Sequence, residues 1–373
     1  MQFRVTGRRL AGAAAAFVAG LAVVAFLVAW SGIYNIAASK GHWKIVEWAL
    51  AFGMQNSVEL RARSVPQPPP LDDPDLAILG AGHFHRACAT CHGAPGVPPD
   101  LTAKQALPPP PELTHSAKQW TDRQLFWIVK HGIKYTGMPA WVAQERDDEV
   151  WALVAFLRKL PQLDGKTYRE MALGAVQPPP QSGRDMAATG LSPYALEACA
   201  RCHGGEKQTP ASELVPILHG QPAEFLASAL RNYAEGTRKS GIMQPVAAEL
   251  DKDSITKLAA YYSRLTLPAA VSASAPAAKG RALATEGDPE ANIPACVSCH
   301  NAEAAQTFPR LAGQNAAYMA NRLRLWKSGV TSPNPTDAIM APIARLLSDE
   351  QIEAVTAYFA AASPERRSGA GNQ

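Results

Sequence analysis

The pattern Cys-x-x-Cys-His occurs three times in this chain and constrains its fold more than any other feature. All 6 cysteines of the chain belong to these motifs. The motif residues are, in order, Cys88, Cys91 and His92; Cys199, Cys202 and His203; and Cys296, Cys299 and His300. The pattern is typical of covalent c-type haem attachment, because two thiols at this spacing reach the two vinyl groups of one porphyrin and the adjacent imidazole then lies beneath the iron.

Cys-x-x-Cys pairs also occur in zinc sites and in thioredoxin-like dithiols. No cysteine remains outside the motifs for a second zinc pair or a disulfide. The histidine that follows every pair favours haem. We therefore expect three covalently bound haem c groups, with His92, His203 and His300 as iron ligands.

The second axial ligand of each iron must come from elsewhere, and a thioether sulfur or an imidazole nitrogen is the usual choice. Methionines recur at one spacing, 18 residues before the first aromatic residue of a predicted closing helix: Met138 to Phe156, Met243 to Tyr261 and Met340 to Tyr358. We expect Met138, Met243 and Met340 to be the ligands, with Met340 in a loop before Pro342. Met319 has core-like helical spacing, so packing is its expected role.

Bis-histidine ligation is the alternative. His115 or His131 would then serve the first haem and His219 the second, whereas the third predicted domain has no spare histidine. We expect His131, and also His83 and His85 before the first motif, to lie at the surface. Methionine ligation closes both faces of the iron and raises its potential, which suits an electron carrier and leaves no site for a substrate.

Prolines occupy matching positions after the second and third motifs, in the segments 216–221 and 309–314. We expect the carbonyls of Pro216 and Pro309 to accept a hydrogen bond from the outer ring nitrogen of the axial histidine, which keeps that imidazole neutral and oriented. In the first domain the run Pro108–Pro111 does not single out one equivalent.

The N-terminal segment 10–30 contains no charged residue and no proline. At about 1.5 Å per residue it spans the roughly 30 Å of a bilayer core. The apolar region of a cleaved signal peptide is usually only ~7–15 residues long, so we expect an uncleaved anchor, with the preceding arginines in the cytoplasm. Apolar residues at helical spacing in Ile45–Phe52 predict either a helix on the membrane surface or a continuation of the anchor.

Proline-rich and small-residue stretches divide the rest of the chain, and helical periodicity predicts an all-α fold of three small tandem domains after the transmembrane helix. The predicted segments are an anchor and interfacial segment (1–63, with the span at 10–30), a proline-rich spacer (64–74), a first domain (75–163), a linker (164–185), a second domain (186–267), a linker (268–278), a third domain (279–363) and a disordered tail (364–373). In the first domain we expect helices near 121–130 and 148–160, the latter crossing close to Gly80 and Phe84. The formal net charge of +4, without a long basic run, argues against a nucleic-acid partner.

On these motifs, the chain beyond residue 75 resembles the class I c-type cytochromes. The second and third domains resemble the tandem di-haem cytochromes of bacterial respiratory chains, through Cys-x-x-Cys-His, Pro-x-Leu-x-Gly-Gln, Met-x-Pro and a closing helix. The first domain is similar to single-haem class I domains with the signature LFWIVKHGIK-x-TGMPAW. The resemblance implies the class I cytochrome c fold in each domain and an electron carrier on the periplasmic side of the bacterial inner membrane.

The leading interpretation is a membrane-anchored relay, not itself an enzyme. It would pass single electrons from a quinol-oxidising complex or a soluble cytochrome to a terminal oxidase. The alternative is the cytochrome c subunit of a periplasmic quinoprotein or flavoprotein dehydrogenase. A third interpretation, peroxidase-like chemistry at one iron, would need an open or displaceable ligand position.

Overall fold

The computed structural model describes residues 7–174, 193–206, 208–266, 275–301 and 306–363. Within these ranges all regular secondary structure is helical, which confirms the all-α prediction. The N-terminal helices are α1 (Gly7–Ser31) and α2 (Lys44–Ala62). The first helix group comprises α3 (Pro74–Ala87), α4 (Ala89–His92), α5 (Leu113–Ser116), α6 (Asp122–His131), α7 (Asp147–Lys159) and α8 (Gly165–Leu173). The second group comprises α9 (Pro193–His203), α10 (Ala223–Ala234), α11 (Met243–Ala248) and α12 (Lys252–Arg264). The third group comprises α13 (Ala275–Glu286), α14 (Ala316–Lys327), α15 (Pro335–Leu346) and α16 (Asp349–Ala361).

The two N-terminal helices are separate elements. Residues Leu10–Ser31 of α1 are long and apolar enough to cross a membrane, and none of that stretch is buried in the protein. The helix ends at Ser31 and α2 begins at Lys44, so α2 is not a continuation of the span. The end of α2 packs against α6, where Val58 and Ala62 are buried.

The first helix group is built on the close crossing of α3 and α7. A Cβ atom on Gly80 would overlap the backbone carbonyl of Ala152 and lie 2.9 Å from the Cβ of Phe156, so only glycine allows this approach. The rings of Phe84 and Phe156 meet with centroids 5.1 Å apart. The predicted crossing at Gly80 and Phe84 is therefore confirmed, as are the helices near 121–130 and 148–160, which appear as α6 and α7.

The segments on either side of this group differ from their prediction as a spacer and a linker. Helix α8 begins inside the predicted linker 164–185, and its Tyr168 is fully buried in the core of the first group. The aspartate side chain of Asp164 starts this helix by accepting from the Thr167 N–H at 2.7 Å. In the predicted spacer, Val65 is buried in the same core, so this segment packs on the group instead of holding it away. The first group therefore extends at both ends beyond 75–163.

The second and third groups each bury their own core, and the third repeats the close crossing of the first. A Cβ on Gly280 of α13 would overlap the carbonyl of Ala354 on α16 and lie 3.0 Å from the Cβ of Tyr358. Most of the remaining linker and tail predictions (175–185, 268–274 and 364–373) lie outside the described residues.

Two glutamines join the second and third groups in a reciprocal arrangement. The Gln314 side chain accepts from the Ile217 N–H at 2.8 Å and donates to the Ile217 carbonyl at 3.0 Å. The Gln221 side chain does the same to Arg310, at 2.9 and 2.8 Å. Because Gln221 and Ile217 occupy the same repeat positions as Gln314 and Arg310, the two contacts are related by a local pseudo-two-fold axis. The linker left this packing open, and the structure shows that the two groups pack directly.

The first group also packs on the second. The Asp75 carboxylate accepts from the Glu213 N–H at 3.0 Å, and Arg86 pairs with Glu249 at 2.6 Å. A Cβ on Gly82 of α3 would lie 3.4 Å from the sulfur of Cys202, so α3 lies directly over the second motif. The three groups thus form one packed body.

Candidate haem sites

The three motif histidines are held in the same way. His92 Nδ1 lies 2.8 Å from the Pro111 carbonyl, His203 Nδ1 3.0 Å from the Pro216 carbonyl, and His300 Nδ1 2.8 Å from the Pro309 carbonyl. The predicted hydrogen bonds to the carbonyls of Pro216 and Pro309 are confirmed, and Pro111 is the equivalent that the proline run of the first domain left open. A carbonyl only accepts, so each Nδ1 carries the proton and each Nε2 presents its lone pair.

This donor set fits a haem iron. An iron ligand must be a neutral imidazole with one free nitrogen, and a hydrogen bond to the other nitrogen sets the tautomer and the ring orientation. Burial lowers the pKa of His92, His203 and His300 below the ordinary value, although the hydrogen bond to the proline carbonyl opposes the shift in each. Haem bound at these positions supplies a one-electron ferric–ferrous couple.

The motifs sit on different local structures. The first runs from the end of α3 into α4, the second ends α9, and the third lies on a single 3₁₀ turn, Cys296–Ser298. The second cysteine is exposed in the first and third motifs, whereas Cys202 is partly buried. The reason for the difference is that α3 covers the second motif beside Gly82.

The backbones of Met138 and Met243 are held by hydroxyl groups that lie just before them. The Met138 N–H donates to the Thr136 hydroxyl oxygen at 3.1 Å, and the Met243 N–H donates to the Ser240 hydroxyl oxygen at 3.0 Å. Both methionine side chains are half-buried. Met243 is the first residue of α11, so its segment changes from loop to helix at this point.

Met340 does not lie in a loop, contrary to the prediction. It lies within α15, which begins with Pro335 and continues through Pro342. The helix starts this early because the Asn334 side chain caps it, accepting from the Asp337 N–H at 3.0 Å. Pro342 removes the N–H that would bond the carbonyl four residues earlier and its ring crowds that carbonyl, yet the helix continues to Leu346. Met319 is buried in the core of the third group, which confirms its packing role.

The alternative histidine ligands lie elsewhere. His115 and His131 are exposed. His219 is fully buried, and its Nε2 lies 2.8 Å from the Gly205 carbonyl, which directly follows the second motif. His219 is therefore engaged on the Cys-x-x-Cys-His side of the site.

His83 is buried, so its predicted surface position is wrong. Its ring lies against Trp141 with centroids 4.7 Å apart, and His85 is partly buried with its Nδ1 2.9 Å from the Tyr168 hydroxyl. Burial, and then the charges of Arg201 and Arg86, lowers the pKa of His83 to about 4. The spacing of Gly80 and Phe84 predicts only the face of α3 that packs on α7. Helix α8 and the second group cover its other faces, which the sequence pattern does not indicate.

Comparison with known proteins identifies the family. Residues 76–157 match the family model described as cytochrome c oxidase, cbb3-type, subunit III, and residues 277–363 match the cytochrome c model. The chain is 38% identical over 182 residues to the thiosulfate dehydrogenase electron acceptor of Thiomonas intermedia, which covers 47% of this chain and 83% of that protein. It is 33% identical over 171 residues to cytochrome c4 of Thiocapsa roseopersicina, which covers 43% of this chain and 85% of that protein.

The chain belongs to the class I c-type cytochromes. Among solved structures, cytochrome c4 of Acidithiobacillus ferrooxidans is similar, with 32% identity, a TM-score of 0.40, and coverage of 44% of this chain and 97% of that one. As a c-type cytochrome, the protein carries haem c and transfers electrons. Its N-terminal apolar helix is a membrane anchor or a signal sequence.

Several residues that shape the cytochrome's sites carried no separate prediction. Thr136 and Ser240 hold methionine backbones, and both are ordinary loop residues in sequence. Gln221 and Gln314 stood out as a repeat match, but only the structure shows that each bonds the other's group. Glu149, a buried carboxylate on α7, had no sequence signal at all.

Proposed function

We propose that this cytochrome holds three haem c groups and carries single electrons from a periplasmic dehydrogenase to a terminal oxidase while anchored in the bacterial inner membrane. The observation that carries the proposal is the repetition of one geometry, an axial histidine bonded through Nδ1 to a proline carbonyl, at all three motifs. A degenerate, haem-free copy would have no reason to keep that hydrogen bond.

The iron ligands that we propose are the three motif histidines and three methionines: His92 with Met138, His203 with Met243, and His300 with Met340. The bis-histidine alternative is weaker, since His115 and His131 are exposed and His219 is bonded on the motif side. Two thioether bonds per haem would come from the paired cysteines of each motif.

The packing of the three groups supports a relay within one chain. The first group lies over the second motif at Gly82, and the Gln221 and Gln314 contacts join the second group to the third. Sites held in one packed body keep fixed separations, and fixed separations allow electrons to move between them without a diffusional step.

The N-terminal helices support membrane attachment. Among the described residues, none buries the apolar stretch Leu10–Ser31 of α1. On α2, Ile45, Trp48 and Phe52 are exposed by 65%, 61% and 56%. An apolar face beside a spanning helix suits the membrane surface, whereas the other end of α2 packs on α6.

The electron donor that we propose is a thiosulfate dehydrogenase, because relatives at 38% identity are named as electron acceptors of that enzyme. A quinol-oxidising complex is the competing donor, and it fits a respiratory relay equally in redox terms. The terminal oxidase is proposed as the acceptor from the closed, high-potential ligation of the irons.

The haem count is tested on the full-length protein produced with the c-type maturation system. Intact-mass measurement should show three haems per chain, and replacing both cysteines of one motif by alanine (Cys88 and Cys91, Cys199 and Cys202, or Cys296 and Cys299) should in each case lower the pyridine haemochrome content by one haem. A wild-type chain with only two haems would contradict the proposal.

The donor is tested by stopped-flow reduction of the oxidised protein. Thiosulfate with thiosulfate dehydrogenase should reduce the haems at a rate that saturates with enzyme, and thiosulfate alone is the control. Rapid reduction by a quinol-oxidising complex, with none by the dehydrogenase, would make the protein a quinol-fed relay instead.

A further inference from the structure

The first helix group reaches into the second at the buried carboxylate of Glu149. This side chain is only 4% exposed although it belongs to a helix of the first group, α7. Its Oε1 accepts from the Ser240 hydroxyl at 2.5 Å, and its Oε2 accepts from the Gly241 N–H at 2.6 Å. Ser240 and Gly241 lie three and two residues before Met243.

The Ser240 hydroxyl continues the chain of hydrogen bonds to Met243. While it donates to Glu149, it accepts from the Met243 N–H at 3.0 Å. The Ser240 N–H donates to the Gln244 side chain at 2.9 Å. A carboxylate of one group is therefore linked through a single hydroxyl to the backbone of the proposed iron ligand of another.

Arg146 adds a further contact of the first group to the residues before Met243. Its Nη1 lies 3.0 Å from Glu149 Oε1 and donates to the Lys239 carbonyl at 2.9 Å, while its other nitrogens pair with Asp148 at 2.9 and 2.8 Å. Burial raises the pKa of Glu149, and the nearby Arg146 opposes that shift. All three partners of its carboxyl group donate to it. The segment 239–241 is thus bonded at every residue by the first group.

In the third group, a buried carboxylate and an arginine also hold the segment before the methionine, but both belong to that same group. Asp337 lies three residues before Met340, as Ser240 does before Met243, and it is also buried. Its Oδ2 accepts from the Ser332 N–H at 2.8 Å, and its Oδ1 lies 3.6 Å from Arg322. The second group has a serine at this position, and the carboxylate and the arginine come from the first group instead.

We propose that Glu149 is a positioning residue that fixes the Met243 segment, so that packing of the first group sets the ligation and the potential of the second haem. This inference rests on the proposed ligation by Met243. A loosened segment would let the thioether leave the iron, and loss of methionine ligation lowers a haem potential.

The test uses the full-length protein and two spectroscopic readouts: the potentiometric titration of the haems and the weak red absorption band that a methionine sulfur gives ferric haem. Met243→His first identifies the second haem, because one step of the titration should move to lower potential with loss of one haem's share of the band. Glu149→Gln should then move the same step in the same direction and weaken the same share.

Matched variants separate positioning from charge and from misfolding. Glu170→Gln removes an exposed carboxylate of the same group and should change neither readout. Ser240→Ala should reproduce the Glu149→Gln shift without removing a charge. Ser240→Thr keeps the hydroxyl and should therefore keep the wild-type potential and absorption band. Haem content and far-ultraviolet circular dichroism of every variant should equal those of the wild type.

The outcomes are distinct. An unchanged step in Glu149→Gln, or an upward shift with a full band, would overturn the positioning role while leaving Met243 ligation intact; the upward shift would show an effect of charge alone. A Met243→His variant with wild-type spectra would overturn the ligand assignment itself, and the inference with it.

Discussion

The reciprocal glutamines predict how strongly the second and third helix groups are held together. Gln314→Ala removes two hydrogen bonds to the backbone of Ile217, at 2.8 and 3.0 Å. Each such bond contributes about 0.5–1.5 kcal/mol net, and the loss is larger when a buried partner is left unpaired. Because Ile217 is buried and would lose both partners, we expect a cost of about 2–3 kcal/mol.

The assay is amide hydrogen exchange followed residue by residue. At about 1.4 kcal/mol per factor of ten, this cost should accelerate exchange of the Ile217 amide by about 30- to 140-fold. Gln221→Ala is the symmetric variant and should accelerate exchange at Arg310, whose N–H it accepts at 2.9 Å. Gln105→Ala, at an exposed position of the first group, is the control. Unchanged exchange at Ile217 in Gln314→Ala would refute the argument that this glutamine holds the interface.

Four further outcomes can be measured. Gly280→Ala should destabilise the third group by about 1–3 kcal/mol in urea unfolding, since its Cβ would overlap the Ala354 carbonyl; an unchanged midpoint would mean that the helices can separate without cost. Burial lowers the pKa of His83 to about 4, so the folded state favours the neutral ring. The unfolded chain protonates this histidine first as the pH falls below 6.5, so the free energy of unfolding should decrease between pH 6.5 and 4, by roughly 3 kcal/mol at about 1.36 kcal/mol per pH unit. His83→Gln should therefore unfold with less pH dependence between 6.5 and 4 than the wild type, and equal slopes would contradict this. Deletion of residues 1–63 behind an export signal removes both the span and the apolar face of α2 and should release a soluble protein, and fractionation with the membranes would show that another surface holds it there. Met340→His should lower the potential of one haem without unfolding the protein, and an identical titration curve would exclude Met340 as a ligand.

The helices with a clear apolar stripe were predictable. Helix α6 was expected near 121–130 and α7 near 148–160, and they differ from those ranges by a residue at each end. The start signal of α6 is local, since Thr121 forms a capping box with Gln124. Local rules such as these act over one turn, so the sequence contains all of the information needed.

The errors arose where burial depends on distant packing. Helix α8 was taken as linker because it leads into the proline run Pro178–Pro180, yet Tyr168 fills a space between α3 and α7. His83 was placed at the surface, yet Trp141 and the second group cover it. Met340 was placed in a loop before Pro342, whereas a helix capped by Asn334 begins at Pro335 and continues through Pro342.

The sequence alone determined the chemistry of this cytochrome, because the cysteines and the histidine of a haem-attachment motif lie within five consecutive residues. Three copies of that motif can be recognised without any knowledge of the fold. The sequence also indicated the proline carbonyls, through their matched positions. Tertiary structure alone decided which groups pack together, and that Glu149 of the first group holds the segment before Met243. Gln314 meets Ile217 and Glu149 meets Ser240 across more than 90 positions of chain. Such contacts depend on how whole helix groups dock, and docking follows from the shape and charge of complete surfaces, which no local pattern records.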